Sequence, residues 1–316
     1  MKEKLRLMIK IAKLYYESGL TQDAISQRLR LSRPRVSRLM QEALDQGIVK
    51  ISIEEEPGSY AELEQQIETR FGLLEVIIVD VTDPAVTETV SKDLGIAAAG
   101  LFSRLVQDGD IVGFTWGATL ASLVENLEPE KKRNSVVIQM VGGLGEPQAE
   151  THATGLVSRT STVIGASLWL LPAPGVVGSA EFASLLRSDR YISQTLEMAK
   201  KADIAFVGIG APTRDSLLMR DESIISWQEM EKLIDLGAVG DISLHFYDIQ
   251  GNLVQTELDE RVIGISLEEM RMLSRVVGIA GGSEKFNAIL GAIHGRFINT
   301  LITDPTTARK LLEVQT

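Results

Sequence analysis

The sequence predicts an α/β chain in two parts: a small three-helix head of helix-turn-helix geometry, and a larger domain on a mostly parallel sheet. Three observations lead there. Charge breaks sharply along the chain: residues 1–53 hold 11 Lys and Arg against 5 Asp and Glu, a balance of +6, while residues 54–316 carry −17, giving −11 over 316 residues. Apolar residues recur at three- and four-residue spacing within the basic part. From Val76 onward, eight apolar runs alternate with helical patterns, as in a sheet covered by helices on both faces.

In the head, Leu5, Met8, Ile9, Ala12 and Tyr16 predict an amphipathic first helix ending at Gly19. Thr21 is placed to cap a second helix, whose apolar face carries Ala24, Ile25 and Leu29. Arg30 stands in the turn where a glycine would bend more easily. Ser32 can cap a third helix, with Pro34 tolerated in its first turn because those N–H groups have no intrahelical partner. Val36, Leu39, Met40 and Ala43 form its buried stripe, and Gly47 stops it. That leaves Arg33, Arg35, Ser37, Arg38 and Gln41 off the stripe. Val49, Ile51 and Ile53 then alternate with Lys50 and Ser52 as a short half-buried strand, a wing.

Two short helices and an Arg-rich helix start suit a recognition helix in a DNA major groove, since an arginine fork can take guanine O6 and N7 together. The plainer reading is a solvated basic face. Glu54-Glu55-Glu56-Pro57-Gly58-Ser59 reads as a linker, which puts domain boundaries at 1–56 and 57–316.

In the larger part, Tyr60, Leu63, Ile67 and Phe71 predict a helix. The strand-like runs are Val76–Val79, Ile111–Phe114, Val136–Val141, Leu168–Leu171, Ile204–Ile209, Ile242–Phe246, Val276–Ala280 and Ile298–Thr303. In such sheets, ligands sit beyond the carboxyl ends of the strands, and four of those ends are rich in glycine. The run Gly113-Phe114-Thr115-Trp116-Gly117-Ala118-Thr119 can converge N–H groups, two hydroxyls and a helix dipole on a phosphate. Gly142 and Gly143 end the third run. Asp241 can accept from sugar hydroxyls, and Gly282 precedes Lys285 at a helix start, where a cation is easier to explain beside an anionic ligand. Each such turn can also be only a tight connection.

Cysteine is absent, which excludes disulfides, thiolate zinc sites and cysteine nucleophiles and fits a reducing, cytoplasmic compartment. The N-terminus MKEKLRLMIK is too charged for a signal peptide, and Gly165–Val177 is too short and Pro-broken to span a membrane. His152, His245 and His294 lack metal-ligand spacing and read as structural, so neither a metal nor a cofactor is expected. Gly208-Ile209-Gly210 lacks a third glycine and reads as a tight turn. Trp116 can stack on a sugar ring or simply fill the core.

Taken together, Gly19-Leu20-Thr21-Gln22 through Arg38-Leu39, GDIVGFTWGATL, GAVGD, AGGSEK and Leu301-Ile302-Thr303-Asp304 resemble the SorC family of bacterial transcriptional regulators, along essentially the whole chain. The resemblance implies a helix-turn-helix joined to a Rossmann-like, phosphosugar-isomerase-like effector domain, with tetramers on operator DNA. The helix-turn-helix reading gives DNA contacts from Thr21, Gln22, Ser32, Arg33, Arg35, Ser37, Arg38 and Gln41. The resemblance implies a phosphate held by Thr115, Gly117 and Thr119 and ligand polar groups held by Asp241 and Lys285, to which the reading of the strand ends adds Gly113, Trp116, Gly142, Gly143 and Gly282 as effector contacts. One branch of the family has an imine-forming lysine at the end of the strand Val136–Val141; here that end is apolar. The expected partners are operator DNA, a sugar or sugar phosphate, and further copies of the chain as a dimer or tetramer, with half-sites roughly 34–36 Å apart. The rival reading is a phosphosugar isomerase with a basic appendage, and a third is a purely structural oligomer.

Overall fold

The computed structural model describes residues 2–51, 59–143, 147–214, 216–219 and 225–314. Contacts divide the chain into two units, Met1–Ser59 and Tyr60–Thr316, each with its own core. In the first, α1 (Lys2–Ala12) runs into a π-helical turn, Lys13–Glu17. α2 (Gln22–Leu29) starts at Thr21, whose Oγ1 accepts from the Ala24 N–H at 3.2 Å. α3 (Arg33–Asp45) follows Ser32, which holds the cap position without a side-chain bond. Met8, Ile11, Ile25, Val36, Leu39, Met40 and Ala43 fill the core between them.

Two expectations for this unit need correction. Leu5, Ile9 and Tyr16 are exposed, while Ile11 is buried and Tyr15 packs against the core. α1 is apolar on more than one side, so spacing alone admits two stripes, and the wider π turn then swings Tyr16 outward. The wing is the second. Residues 48 and 49 form bends and 50 and 51 no regular structure, Val49 is half-buried and Ile51 is 62% exposed. A lone strand has no ladder to join, and the described residues of this unit contain no second one. Ile53 and the Pro57–Gly58 hinge lie outside the described residues.

The second unit opens with α4 (Ala61–Phe71) and β1 (Glu75–Ile78). Strands and helices then alternate: α5 (Thr87–Leu105), β2 (Ile111–Phe114), α6 (Ala118–Glu125), β3 (Val136–Gln139), α7 (Pro147–Ile164) and β4 (Ser167–Trp169). α8 (Ala180–Ser188) and α9 (Arg190–Ala199) lead to β5 (Ile204–Gly208), and α10 (Trp227–Asp235) to β6 (Gly240–Ile242) and β7 (His245–Tyr247). α11 (Glu257–Arg261), α12 (Leu267–Met270), β8 (Arg275–Ile279), α13 (Phe286–His294), β9 (Thr300–Thr303) and α14 (Pro305–Glu313) complete it.

Seven strands form one sheet in the order β1-β9-β8-β5-β2-β3-β4, every neighbour parallel. The inner strands β2, β5 and β8 are mostly apolar because both faces are covered, while the edge strand β4 is largely exposed. Along β5, Ile204 and Phe206 join Val112 and Phe114 in one core, while Ala205 and Val207 join Ile138 and Val276 in the other. The order also fixes where a ligand can enter. β2 leads to β3 and β4 on one side, and the chain then crosses to β5 on the other side of β2. The crevice of such a sheet lies at this reversal, beyond the ends of β2 and β5.

The run Ile242–Phe246 is not an eighth strand of this sheet. It breaks into the antiparallel hairpin β6–β7, paired Asp241 to Phe246 and Ile242 to His245. Its two turn residues, Ser243 and Leu244, both have positive φ, 56° and 70°. That is the turn a two-residue hairpin demands, here built without glycine. Between β4 and β5, Asp189 caps α9, and Arg187 donates to the Glu260 and Val262 carbonyls.

Candidate functional site

On the head, α3 buries one side and leaves the other to solvent. Arg33, Arg35, Ser37, Arg38 and Gln41 are all exposed, as are Thr21 and Ser32, with Gln22 half-buried. The link from α2 is tight because Arg30 is left-handed, φ 51° and ψ 47°, with the Leu31 N–H reaching the Ser26 carbonyl at 2.9 Å. The exposed groups are not equivalent. Arg33 Nε lies 3.5 Å from Asp23 Oδ1, and Gln41 Nε2 donates to Asp45 Oδ1 at 2.9 Å. Arg35 and Arg38 have no ion-pair or hydrogen-bond partner among the described residues. Their guanidinium forks are free for base edges or phosphates.

In the larger unit, buried Thr115 follows β2 directly. Its N–H donates to the Phe206 carbonyl at 3.2 Å, and its Oγ1 accepts from the Gly208 N–H at 3.3 Å. These bonds tie the ends of β2 and β5 together at the reversal. Gly117, with φ 145°, then opens α6 with no side-chain cap and with open space where its Cβ would stand. The first N–H groups of α6 are therefore available to an anion, with buried Thr119 in the same turn.

Across β5, Gly210 and Asp241 exchange backbone hydrogen bonds of 2.9 and 3.1 Å. A Cβ on Gly210 would stand 2.0 Å from Asp241 Oδ1, so glycine is what lets the carboxylate lie there. Beyond β8, Gly282 has φ 92° and open space around it, and its N–H donates to Asp304 Oδ2 at 2.7 Å. A single 3-10 turn, Ser283–Lys285, then leads into α13. Burial pushes Asp241 up from 3.8 to about 6, against the pull of the Leu244 N–H and of the Lys285 and His245 charges. Burial likewise lowers Lys285, and Asp241 draws it back up. The two feel one another without a direct ion pair, so a polar ligand group can stand between them.

Not every expected residue joins this cluster. Gly113 lies inside β2, where a Cβ would fall 2.3 Å from Met140 Sδ, so it serves packing and not the crevice. Gly142 and Gly143 give their N–H groups to the Ile263 and Ala173 carbonyls, at 2.9 and 3.0 Å, and Gly142 admits the close approach of Pro174. Their donors are taken. Trp116 is half-buried with its ring against two apolar clusters, yet its Nε1 has no partner among the described residues. Buried side-chain atoms without partners also include Ser243 Oγ on the hairpin turn and Thr303 Oγ1 at the end of β9.

Sequence reasoning missed Gly208 and Gly210, which look like a plain tight turn, and Tyr247, whose hydroxyl donates to the Ala288 carbonyl at 3.0 Å beneath Asp241's strand. Their only signal is closeness in sequence to a strand end or to Asp241. His245 Nδ1 faces Asp259 Oδ1 at 3.0 Å and His294 Nδ1 faces the Ile249 carbonyl at 2.7 Å; the His152 side chain lies outside the described part. Among the described residues, no group of His, Cys, Asp and Glu could hold a metal ion, and no helix is long and apolar enough to cross a membrane.

Residues 55–313 match the family described as "Putative sugar-binding domain". The chain is 34% identical over 312 residues to the deoxyribonucleoside regulator of Bacillus subtilis (strain 168), covering 98% of each. It is 34% identical over 317 residues to the sorbitol operon regulator of Klebsiella pneumoniae, again covering 98% of each. Among solved structures, the full-length sorbitol operon regulator SorC from Klebsiella pneumoniae superposes with TM-score 0.74 at 33% identity, over 98% of this chain and 99% of that one. A DeoR family transcriptional regulator from Listeria monocytogenes superposes with TM-score 0.73 at 27% identity, over 79% of this chain and 98% of that one.

Proposed function

The chain belongs to the SorC family of bacterial sugar-responsive transcriptional regulators, and from that premise we propose that residues 1–56 bind operator DNA while residues 57–316 bind the sugar or sugar phosphate that sets operator affinity. The relatives are regulators rather than enzymes, and so is this chain. α3 lies in the major groove with Arg35 and Arg38 as its free forks, and Arg33, Ser37, Gln41, Thr21, Gln22 and Ser32 border it. In the second unit, the α6 N-terminus with Thr115, Gly117 and Thr119 takes the anionic end of the effector. Lys285 balances that charge beside Gly282, Asp241 accepts from a hydroxyl, and Trp116 lies along the sugar.

A homodimer or tetramer in the cytoplasm would carry the heads to paired half-sites, and the effector would act through unequal affinity for two subunit arrangements. One observation supports the reading most: Thr115 is tied to Gly208 at the end of β5, the Gly210–Asp241 pair follows it, and Lys285 feels the Asp241 charge, beside a helix start without a cap. The test is a thermal-shift screen of sugars and sugar phosphates, followed by operator titration with each hit. Stabilisation by at least one sugar, and a change in operator affinity on adding it, are expected. A chain that ignores every sugar and sugar phosphate yet binds operator would not have this effector function.

A further inference from the structure

The turn of the β6–β7 hairpin holds a hydroxyl that the fold itself leaves unanswered. Ser243 is 6% exposed, its Oγ has no partner among the described residues, and its backbone is held at φ 56°, where residues other than glycine are strained. A buried hydroxyl normally finds a partner, because an unmet one costs roughly 1–3 kcal/mol. Two residues earlier stands Asp241, itself buried, whose charged form is favoured by the Leu244 N–H of the same turn. Ser243 stands between Asp241 and Leu244 in this turn, so its hydroxyl and the carboxyl group belong to one buried four-residue segment.

We propose that Ser243 is a specificity-determining residue of the effector site, and that Asp241 and Ser243 together read two neighbouring hydroxyls of a sugar. Asp241 accepts from the first; the Ser243 hydroxyl donates to, or accepts from, the second. The ligand class is thus a sugar or sugar phosphate whose C2 hydroxyl is one of two neighbouring hydroxyls, as against its 2-deoxy analogue. This rests on the effector reading given above and adds the group that selects within it. The strained turn also has a reason on this view, since a glycine would hold the same backbone more easily and offer no hydroxyl.

The test uses the full chain and two probe pairs, ribose 5-phosphate against 2-deoxyribose 5-phosphate and glucose 6-phosphate against 2-deoxyglucose 6-phosphate, with inorganic phosphate as control, all by calorimetric titration. The wild type should bind at least one hydroxylated probe more tightly than its deoxy partner. Ser243→Ala should lose about tenfold in affinity for that probe and nothing for the deoxy partner. Without ligand it should unfold at the same temperature as the wild type or higher, because an unmet buried hydroxyl has gone. Ser243→Gly, which keeps the left-handed turn, should behave alike. A variant that loses stability and binds both members of a pair equally less well gives Ser243 a structural role only and overturns the proposal. So does a wild type that prefers the deoxy probe, and that result leaves the effector reading standing. A wild type that binds no probe overturns this proposal, and silence in the wider screen of sugars and sugar phosphates overturns the effector reading as well.

Discussion

Arg33 and Arg35 look alike in the sequence, but Asp23 on the neighbouring helix separates them: it lies 3.5 Å from Arg33 and leaves Arg35 and Arg38 free. The arginine face was legible because caps and stripe fix which side of α3 is buried; the Asp23 contact was not, because it joins two helices through their turn. Arg38→Ala should weaken operator binding by about 1–3 kcal/mol and leave effector binding unchanged. Asp23→Ala should do the opposite, tightening DNA binding about two- to fivefold as Arg33 is released; anisotropy titration at one salt concentration checks both. Asp241 yields a second prediction with a definite sign. Its folded range is raised from 3.8 to about 6, so the native chain holds a proton the unfolded chain would release. Stability therefore falls as pH rises through that window, by on the order of 3 kcal/mol at most. Asp241→Asn has no such loss. It should be more stable than the wild type at pH 7, about equal at pH 4, and unable to bind effector, which urea unfolding at the two pH values with a parallel ligand titration would measure.

Elements were legible where both faces of a strand are buried and obscure where backbone handedness or distant pairing decides. Runs such as Ile111–Phe114 and Ile204–Ile209 announce themselves because every position is apolar, whereas Ile242–Phe246 conceals a two-residue turn that only the φ of Ser243 and Leu244 reveals. The wing failed for a related reason: alternation at Val49 and Ile51 describes a strand but supplies no partner. The candidate crevice was legible through Thr115, Gly117, Asp241 and Lys285, since glycine-rich strand ends all lie on one edge of a parallel sheet. Gly113, Gly142 and Gly143 share that composition but serve packing. Gly95 shows how packing also positions the site. A Cβ there would stand 2.4 Å from Ser122 Cβ and 2.8 Å from the Leu123 backbone nitrogen, so α5 and α6 touch through it. Gly95→Ala should lower stability by about 1–3 kcal/mol. It should also weaken effector binding, because α6 carries Gly117 and Thr119 at its start. Adding Ser122→Gly should recover part of both losses, measured by thermal unfolding and ligand titration; loss of stability with undiminished effector affinity would separate α6 from the site.

At the scale of the whole molecule, net charge describes the larger unit and hides the smaller. A chain at −11 looks unsuited to DNA, yet the balance of residues 1–53 is +6 and the −17 lies elsewhere. Because phosphate contacts release counterions, log affinity should fall linearly with log salt, with a slope of about −0.9 per phosphate neutralised. Only cations that touch the backbone enter that slope, so the acidic unit alters the strength of binding but not its salt exponent. Replacing an arginine that contacts phosphate should reduce the slope by about one per head, while replacing one that reads a base should leave it nearly unchanged and relax sequence preference. Arg35→Ala and Arg38→Ala are thereby sorted by a measurement that needs no operator structure. The same exponent tests how the effector acts. In a dimer, two heads engage paired half-sites at once, and their joint affinity depends on the arrangement that lets both reach. If the effector favours an arrangement in which only one head fits, the slope should drop to about half on saturation with sugar, because half the phosphate contacts are gone. Operator titrations across a range of salt, with and without saturating effector, measure it; an unchanged slope with weaker affinity would place the effector's influence within each head rather than on their pairing.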